Sequence, residues 1–189
     1  MPFPDTVELS ELVLQKITNE LETGSVAAIM MECIMGDGGN ILPYKNVLSD
    51  ISKLVKSYGA LCIVDEIQSG IGRTGKFWAS EWFNFIPDLI TTSKGITAGY
   101  YPLSACLGRA EIIESLDKVQ HIFTHSANPV ACAIAKYVID KIQKQIFLNE
   151  VQQKSIYFLQ ALYKLNNHFF SYSGYSWLWI TVRYRNCEK

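Results

Sequence analysis

Hydrophobic positions along the chain switch repeatedly between two periods, and the switches divide it into elements. In VELSELVLQKITNELE, residues 7–22, apolar side chains recur at helical spacing, which predicts an amphipathic helix. SVAAIMMECI, 25–34, is nearly continuous apolar sequence and reads as a buried strand, followed by a glycine-rich loop, MGDGGNILP, at 35–43. Residues 44–59 return to helical period, with Val47, Leu48, Ile51, Leu54 and Val55 on one face and Gly59 placed as the stop. ALCIVDEI, 60–67, is a second buried strand, and a short helical piece is expected around Trp78–Phe83. PDLITTSK, 87–94, is a third strand opened by Pro87, and PLSACLG, 102–108, a fourth. Helices are expected at 109–116, 129–146 and 148–166. Strands apolar on both sides and separated by helices predict an α/β fold of three layers, a mostly parallel sheet with helices on both faces. Ligands of such sheets collect beyond the carboxyl ends of the strands.

Composition narrows the function classes. The 189 residues are 49% hydrophobic and 19% charged, with a formal net charge of −1, as in a soluble globular protein with no pull toward nucleic acid or a membrane surface. No apolar stretch reaches the roughly 18 residues that span a bilayer. The N-terminal MPFPDTVELSE has neither the layout of a secretory signal nor that of a transit peptide, so a cytoplasmic protein is expected. Cys33, Cys62, Cys106, Cys132 and Cys187 form no C-x-x-C pair and read as buried, reduced thiols. His121, His125 and His168 do not form a zinc signature, and no metal is expected.

The chemistry concentrates where the second and third strands end. Asp65 and Glu66 close one apolar run, and Gly70, Gly72 and Gly75 follow with Arg73 and Lys76 among them. Lys94 closes the next strand. A strand-end aspartate is commonly a cap or ion-pair partner, and Ser93-Lys94-Gly95 by itself is commonly an ordinary solvated lysine. If the two strands lie in one sheet with their ends on the same side, both groups can face one ligand.

The stretch VDEIQSGIGRTGKFWASEWFNFIPDLITTSKGITAGYYPLSACLGR resembles the class III, or ω-type, pyridoxal-phosphate aminotransferases, which include the ornithine, acetylornithine, 4-aminobutyrate and diaminopelargonate enzymes. The likeness runs from about Ser25 to about Lys144. It implies that residues 1–146 are part of the large domain of a fold-type I enzyme, and that 147–189 are a linker helix and an altered start of the small domain. By the same resemblance, Asp65 pairs with the cofactor's pyridine nitrogen, and Lys94 carries the cofactor and moves the substrate's Cα proton. Gln68 sits near the cofactor's 3′-oxygen. HIFTHSANPVACAIA, 121–135, is similar to the segment whose threonine, here Thr124, binds the cofactor phosphate of a neighbouring subunit, which implies a homodimer.

Glu32-Cys33-Ile34-Met35-Gly36-Asp37-Gly38-Gly39 is similar to the family's substrate-side loop, with Cys33 for the usual proline and Met35 for the usual glutamine. Glu32 and Asp37 are therefore substrate-side candidates, Asp37 with a shorter reach than the glutamate of several members. Arg73 and Lys76 read as structural or interface charges rather than catalytic ones. The expected reaction is transfer of an amino group from an amine or amino acid to a 2-oxo acid. The segment looks nearer to members acting on 4-aminobutyrate, ω-amines or alanine-type donors than to acetylornithine members. The alternative is a catalytically inactive remnant, or an interaction fragment that docks through the dimer surface. Nothing in residues 1–24 resembles the family's phosphate loop, and FFSYSGYSWLWITVRYRNCEK, 169–189, departs from its pattern. A partial chain is thus expected to expose apolar surface and to be poorly stable or to aggregate unless it pairs with something.

Overall fold

The structure is a computed structural model that describes residues 1–116, 124 and 126–169, the last five by backbone alone. Helix α1, Val7–Glu22, starts where the Thr6 hydroxyl accepts from the Leu9 amide at 3.2 Å, and buries Val13, Ile17 and Leu21. Strand β1, Ala28–Glu32, leads through the loop to helix α2, Val47–Ser57, whose apolar face matches the sequence pattern. Strand β2, Leu61–Asp65, is followed by the glycine-rich segment and a 3-10 turn at Ala79–Phe83. Strand β3, Leu89–Thr92, gives way to a 3-10 turn at Lys94–Thr97, and β4, Ala105–Gly108, to the short helix α3, Ala110–Ile113. Helices α4, Pro129–Ile142, and α5, Gln145–Phe169, complete it.

Each strand is shorter than its apolar run. The sheet order is β1-β2-β3-β4. β1, β2 and β3 are parallel, and β4 runs antiparallel to β3. The mostly parallel α/β sheet flanked by helices agrees with the expectation.

Register determines what each face carries. Cys62 and Val64 are buried against α1 and α2, with Ile29 and Met31 packed beside them. The intervening positions point to the opposite face, where Glu32, Asp65, Thr91 and Cys106 are successive register partners across all four strands. Met30, on that face of the edge strand, is 54% exposed.

A second, smaller cluster joins Ile71 and Ile96 to Ala135, Ile139 and Ile142 of α4. It ties the glycine-rich segment and the Lys94–Thr97 turn to one helix. Gly72, at φ +79, makes this approach possible, since a Cβ there would lie 2.5 Å from Ile142 Cγ2.

Two of the cysteine expectations are corrected. Cys33 and Cys62 are buried, but Cys106 and Cys132 are exposed, one on the edge strand β4 and the other on the outer side of α4. Cys187, the candidates His121 and His125, and the divergent tail beyond Phe169 lie outside the described residues, as does the side chain of His168. Among the described residues, no group of His, Cys, Asp and Glu is arranged to hold a metal ion, and no helix is long and apolar enough to cross a membrane. Ile86, Tyr100 and Tyr137 are 81%, 82% and 65% exposed, in keeping with the expected apolar surface.

Candidate active site

Asp65 is the last residue of β2, paired in register with Glu32 on one side and Thr91 on the other. Its Oδ1 accepts from the Ile67 amide at 2.8 Å, which fixes the carboxylate at the strand end. Glu32 is likewise anchored locally, its Oε1 accepting from the Gly36 amide at 3.3 Å. Glu32 and Asp65 are thus register neighbours on one face of adjacent parallel strands, roughly 4.8 Å apart in backbone spacing. Thr91 contributes to the same row a buried hydroxyl with no hydrogen-bond partner among the described residues.

Lys94 follows β3 and opens its 3-10 turn with φ +36, a region L side chains seldom occupy. The turn aims the side chain back toward the segment after β2, where Nζ donates to Gln68 Oε1 at 3.0 Å. Both side chains line a groove of about 670 Å³ with Arg73, Ile142 and Phe147. The strand-end amine and the residue three positions after Asp65 are thus brought together, and both lie at the carboxyl ends of parallel strands.

The other candidates are distributed differently. Asp37 is exposed in the loop, which is closed by a bridge between Met35 and Ile41. Thr124 is exposed and lines a different concavity, of about 1010 Å³, with Thr91, Ser93, Ser104 and Ser126. Within one chain, Thr124 and Lys94 therefore face different hollows. Arg73 is exposed in the Lys94 groove, and Lys76 lies over the Trp82 ring at 5.4 Å.

The profile described as aminotransferase class-III matches residues 2–171. The chain belongs to the class-III aminotransferase family.

Relatives of this class-III chain carry several reactions. It is 37% identical to a leucine/methionine racemase of Thermococcus litoralis, covering 86% of this chain and 37% of that protein. It is 39% identical to an acetylornithine aminotransferase of Bacillus anthracis, covering 88% and 41%. A probable 4-aminobutyrate aminotransferase of Bacillus subtilis is also 39% identical, over 64% of this chain and 28% of that one. Identity therefore does not favour the 4-aminobutyrate branch over the acetylornithine branch. Among solved structures, an ornithine aminotransferase of Toxoplasma gondii, described with partial occupancy of PLP at its active site, superposes with a TM-score of 0.80 at 29% identity. That alignment covers 86% of this chain and 38% of the other. A transaminase from the marine bacterium Virgibacillus gives 0.82 at 29% identity, covering 90% and 40%. The chain spans between about a quarter and two-fifths of the length of these relatives.

Sequence reasoning missed three residues here. Thr91 had only its place in an apolar strand to mark it. Gly36 was read as one of several loop glycines. Glu66 was noticed beside Asp65 but given no part. It is fully buried on the opposite side of the strand, accepting from Ser69 Oγ at 2.6 Å and from the Ser80 amide at 2.8 Å. Burial pushes the Glu66 carboxyl up, and the bonds from Ser69 and Ser80 oppose that shift. Cys33, raised well above the ordinary thiol value by burial and by the nearby Glu66, is chemically quiet.

Proposed function

We propose that this chain carries the cofactor-contacting segment of a pyridoxal-phosphate-dependent aminotransferase that moves an amino group from an amine or amino acid to a 2-oxo acid. The observation that carries the reading is the Lys94–Gln68 bond at 3.0 Å, set beside the register row of Glu32, Asp65 and Thr91. A strand-end carboxylate, an exposed amine and an amide form a donor set that fits this cofactor. Pyridoxal phosphate, when bound, supplies an electron sink for charge that develops at the substrate's Cα.

The residues then divide the work. Asp65 holds a proton on the ring nitrogen, its own orientation fixed by the Ile67 amide. Lys94 Nζ carries the cofactor and afterwards takes and returns the proton at Cα. Gln68 orients the amine and the ring edge. Glu32 and Asp37 border the substrate, Asp37 with the weaker reach. Thr124 binds the phosphate group across a homodimer, which accords with its separation from the Lys94 groove in one chain. In this reading residues 1–146 belong to the large domain, 147–189 lead toward the small one, and the protein works in the cytoplasm.

The test is direct. Purified protein titrated with pyridoxal phosphate should gain a visible absorbance band, which borohydride bleaches while fixing the cofactor's mass on the Lys94 peptide. Sedimentation should give a dimer. No band at saturating cofactor would favour the inactive or docking-fragment reading instead.

A racemase reading draws on the 37% identity to the leucine/methionine enzyme. It uses the same proton transfer at Cα but needs no acceptor. Loss of optical activity from an amino acid without any 2-oxo acid would identify it, and amino transfer that depends on a 2-oxo acid would exclude it.

A further inference from the structure

The Gln68 amide that meets Lys94 is pressed from its other side against Gly36. A Cβ built on Gly36 would lie 2.8 Å from Gln68 Cδ, 2.8 Å from Nε2 and 2.9 Å from Oε1, three atoms of one amide group. No real Cβ tolerates such distances, so the Gln68 amide occupies the space a side chain at 36 would take. Gly36 is buried and its φ lies outside the left-handed region. Its lack of a side chain thus serves contact and not backbone conformation. The platform is itself fixed: Glu32 Oε1 holds the Gly36 amide, and reciprocal bonds between Met35 and Ile41, at 3.0 and 3.1 Å, close the loop. From the β1 strand end to the reactive amine, a continuous line of contacts runs Glu32, Gly36, Gln68, Lys94.

We infer that Gly36 is a positioning residue for Lys94, acting through the Gln68 amide, and that the loop after β1 thereby controls how the amine is presented. The inference rests on Lys94 being the reactive amine of the proposed reaction, but the contact it invokes does not depend on a cofactor. A methyl group at 36 must displace the Gln68 amide, because the backbone of the loop is tied at both ends. Displacement breaks the bond from Nζ and frees the amine.

The experiment reads Lys94 alone. Cofactor-free protein is acylated with a limiting amine reagent, and modification of Lys94 is followed by peptide mass spectrometry against exposed Lys16 as an internal reference. Breaking one hydrogen bond should raise the Lys94 to Lys16 ratio about threefold in Gln68→Ala and in Gly36→Ala. In the double variant Gly36→Ala/Gln68→Ala the ratio should equal that of Gln68→Ala, because the methyl group then has nothing to push. Effects that multiply in the double variant would overturn the inference, as would an unchanged ratio in Gly36→Ala. If Gly36→Ala alone fails to fold, a folded double variant supports the contact, and a double variant that also fails to fold refutes it. Failure of the aminotransferase reading would show separately, as an absent visible band in the unsubstituted protein whose labelling pattern still follows the cycle.

Discussion

Lys94 Nζ and Gln68 Oε1 meet at 3.0 Å, although the residues are 26 positions apart and belong to segments following different strands. The contact exists because β2 and β3 are parallel neighbours, so their carboxyl ends open on the same side of the sheet. It leaves the Lys94 side chain exposed, so the amine stays open to a ligand.

On the proposed aminotransferase reading, replacing Lys94 by Ala should abolish both the visible band and borohydride fixation, and lower amino transfer by at least about 10³-fold, since that reading makes it the proton carrier. Replacement by Arg should do the same, because a guanidinium is neither a nucleophile nor a base near neutral pH. Cofactor titration and a coupled transfer assay check this, with circular dichroism confirming the fold.

Asp65→Asn keeps an oxygen for the Ile67 amide but removes the charge. The fold should survive while, on the proposed reading, transfer falls by about 10² or more, as the ring nitrogen would lose its counter-charge. An Asn variant that transfers at the parental rate would remove Asp65 from the site.

Glu66 should make stability depend on pH in an unusual direction. Burial raises its carboxyl above the ordinary value of 4.5, so the folded state holds the proton more tightly than the unfolded state. That contribution is complete below the ordinary value and is lost as pH rises through the raised one. Glu66→Gln preserves an acceptor for the Ser80 amide and a partner for Ser69, and should flatten this fall. Glu66→Ala should cost about 1–3 kcal/mol at low pH, because two buried donors lose their acceptor, and less as pH rises through the raised value. Thermal melts across the acid-to-neutral range, comparing the three proteins, decide it.

Asp88 is a structural clamp. Its Oδ2 accepts from the Cys62 amide at 2.8 Å, and its Oδ1 lies 3.4 Å from Arg109 and 4.0 Å from Lys56. Asp88→Ala should cost about 2–3 kcal/mol by leaving the buried amide unpaired. Arg109→Ala should cost under about 1 kcal/mol, because that partner is half exposed. Chemical denaturation measures both.

Gly72→Ala should loosen the junction of the glycine-rich segment with α4. It combines a φ of +79 with a clash against Ile142 and should cost about 2 kcal/mol. Gly59, also left-handed at φ +76 but with open space around it, should cost less, near 1 kcal/mol. Equal losses in melts of the two variants would mean that the packing at Gly72 contributes nothing.

Local sequence decided the elements. Periodicity along 7–22 and 44–59 specifies helices wherever the chain goes, because one apolar face must be covered. The runs at 25–34, 60–67 and 87–94 specify strands, though β1 lies at the sheet edge and is only partly buried, and Asp65 and Lys94 at the ends of the second and third runs were legible as candidates. What no local pattern contains is which strand lies beside which, and in what register. The row of Glu32, Asp65, Thr91 and Cys106, the reversal of β4, the burial of Glu66 and the seating of the Gln68 amide on Gly36 all follow from such pairings. They are settled by summed contacts between residues distant in the chain, where a shift of one position would exchange the two faces of a strand. Residue types and their spacing thus determined the elements and the candidate groups, and the packing of remote segments decided which of those groups meet.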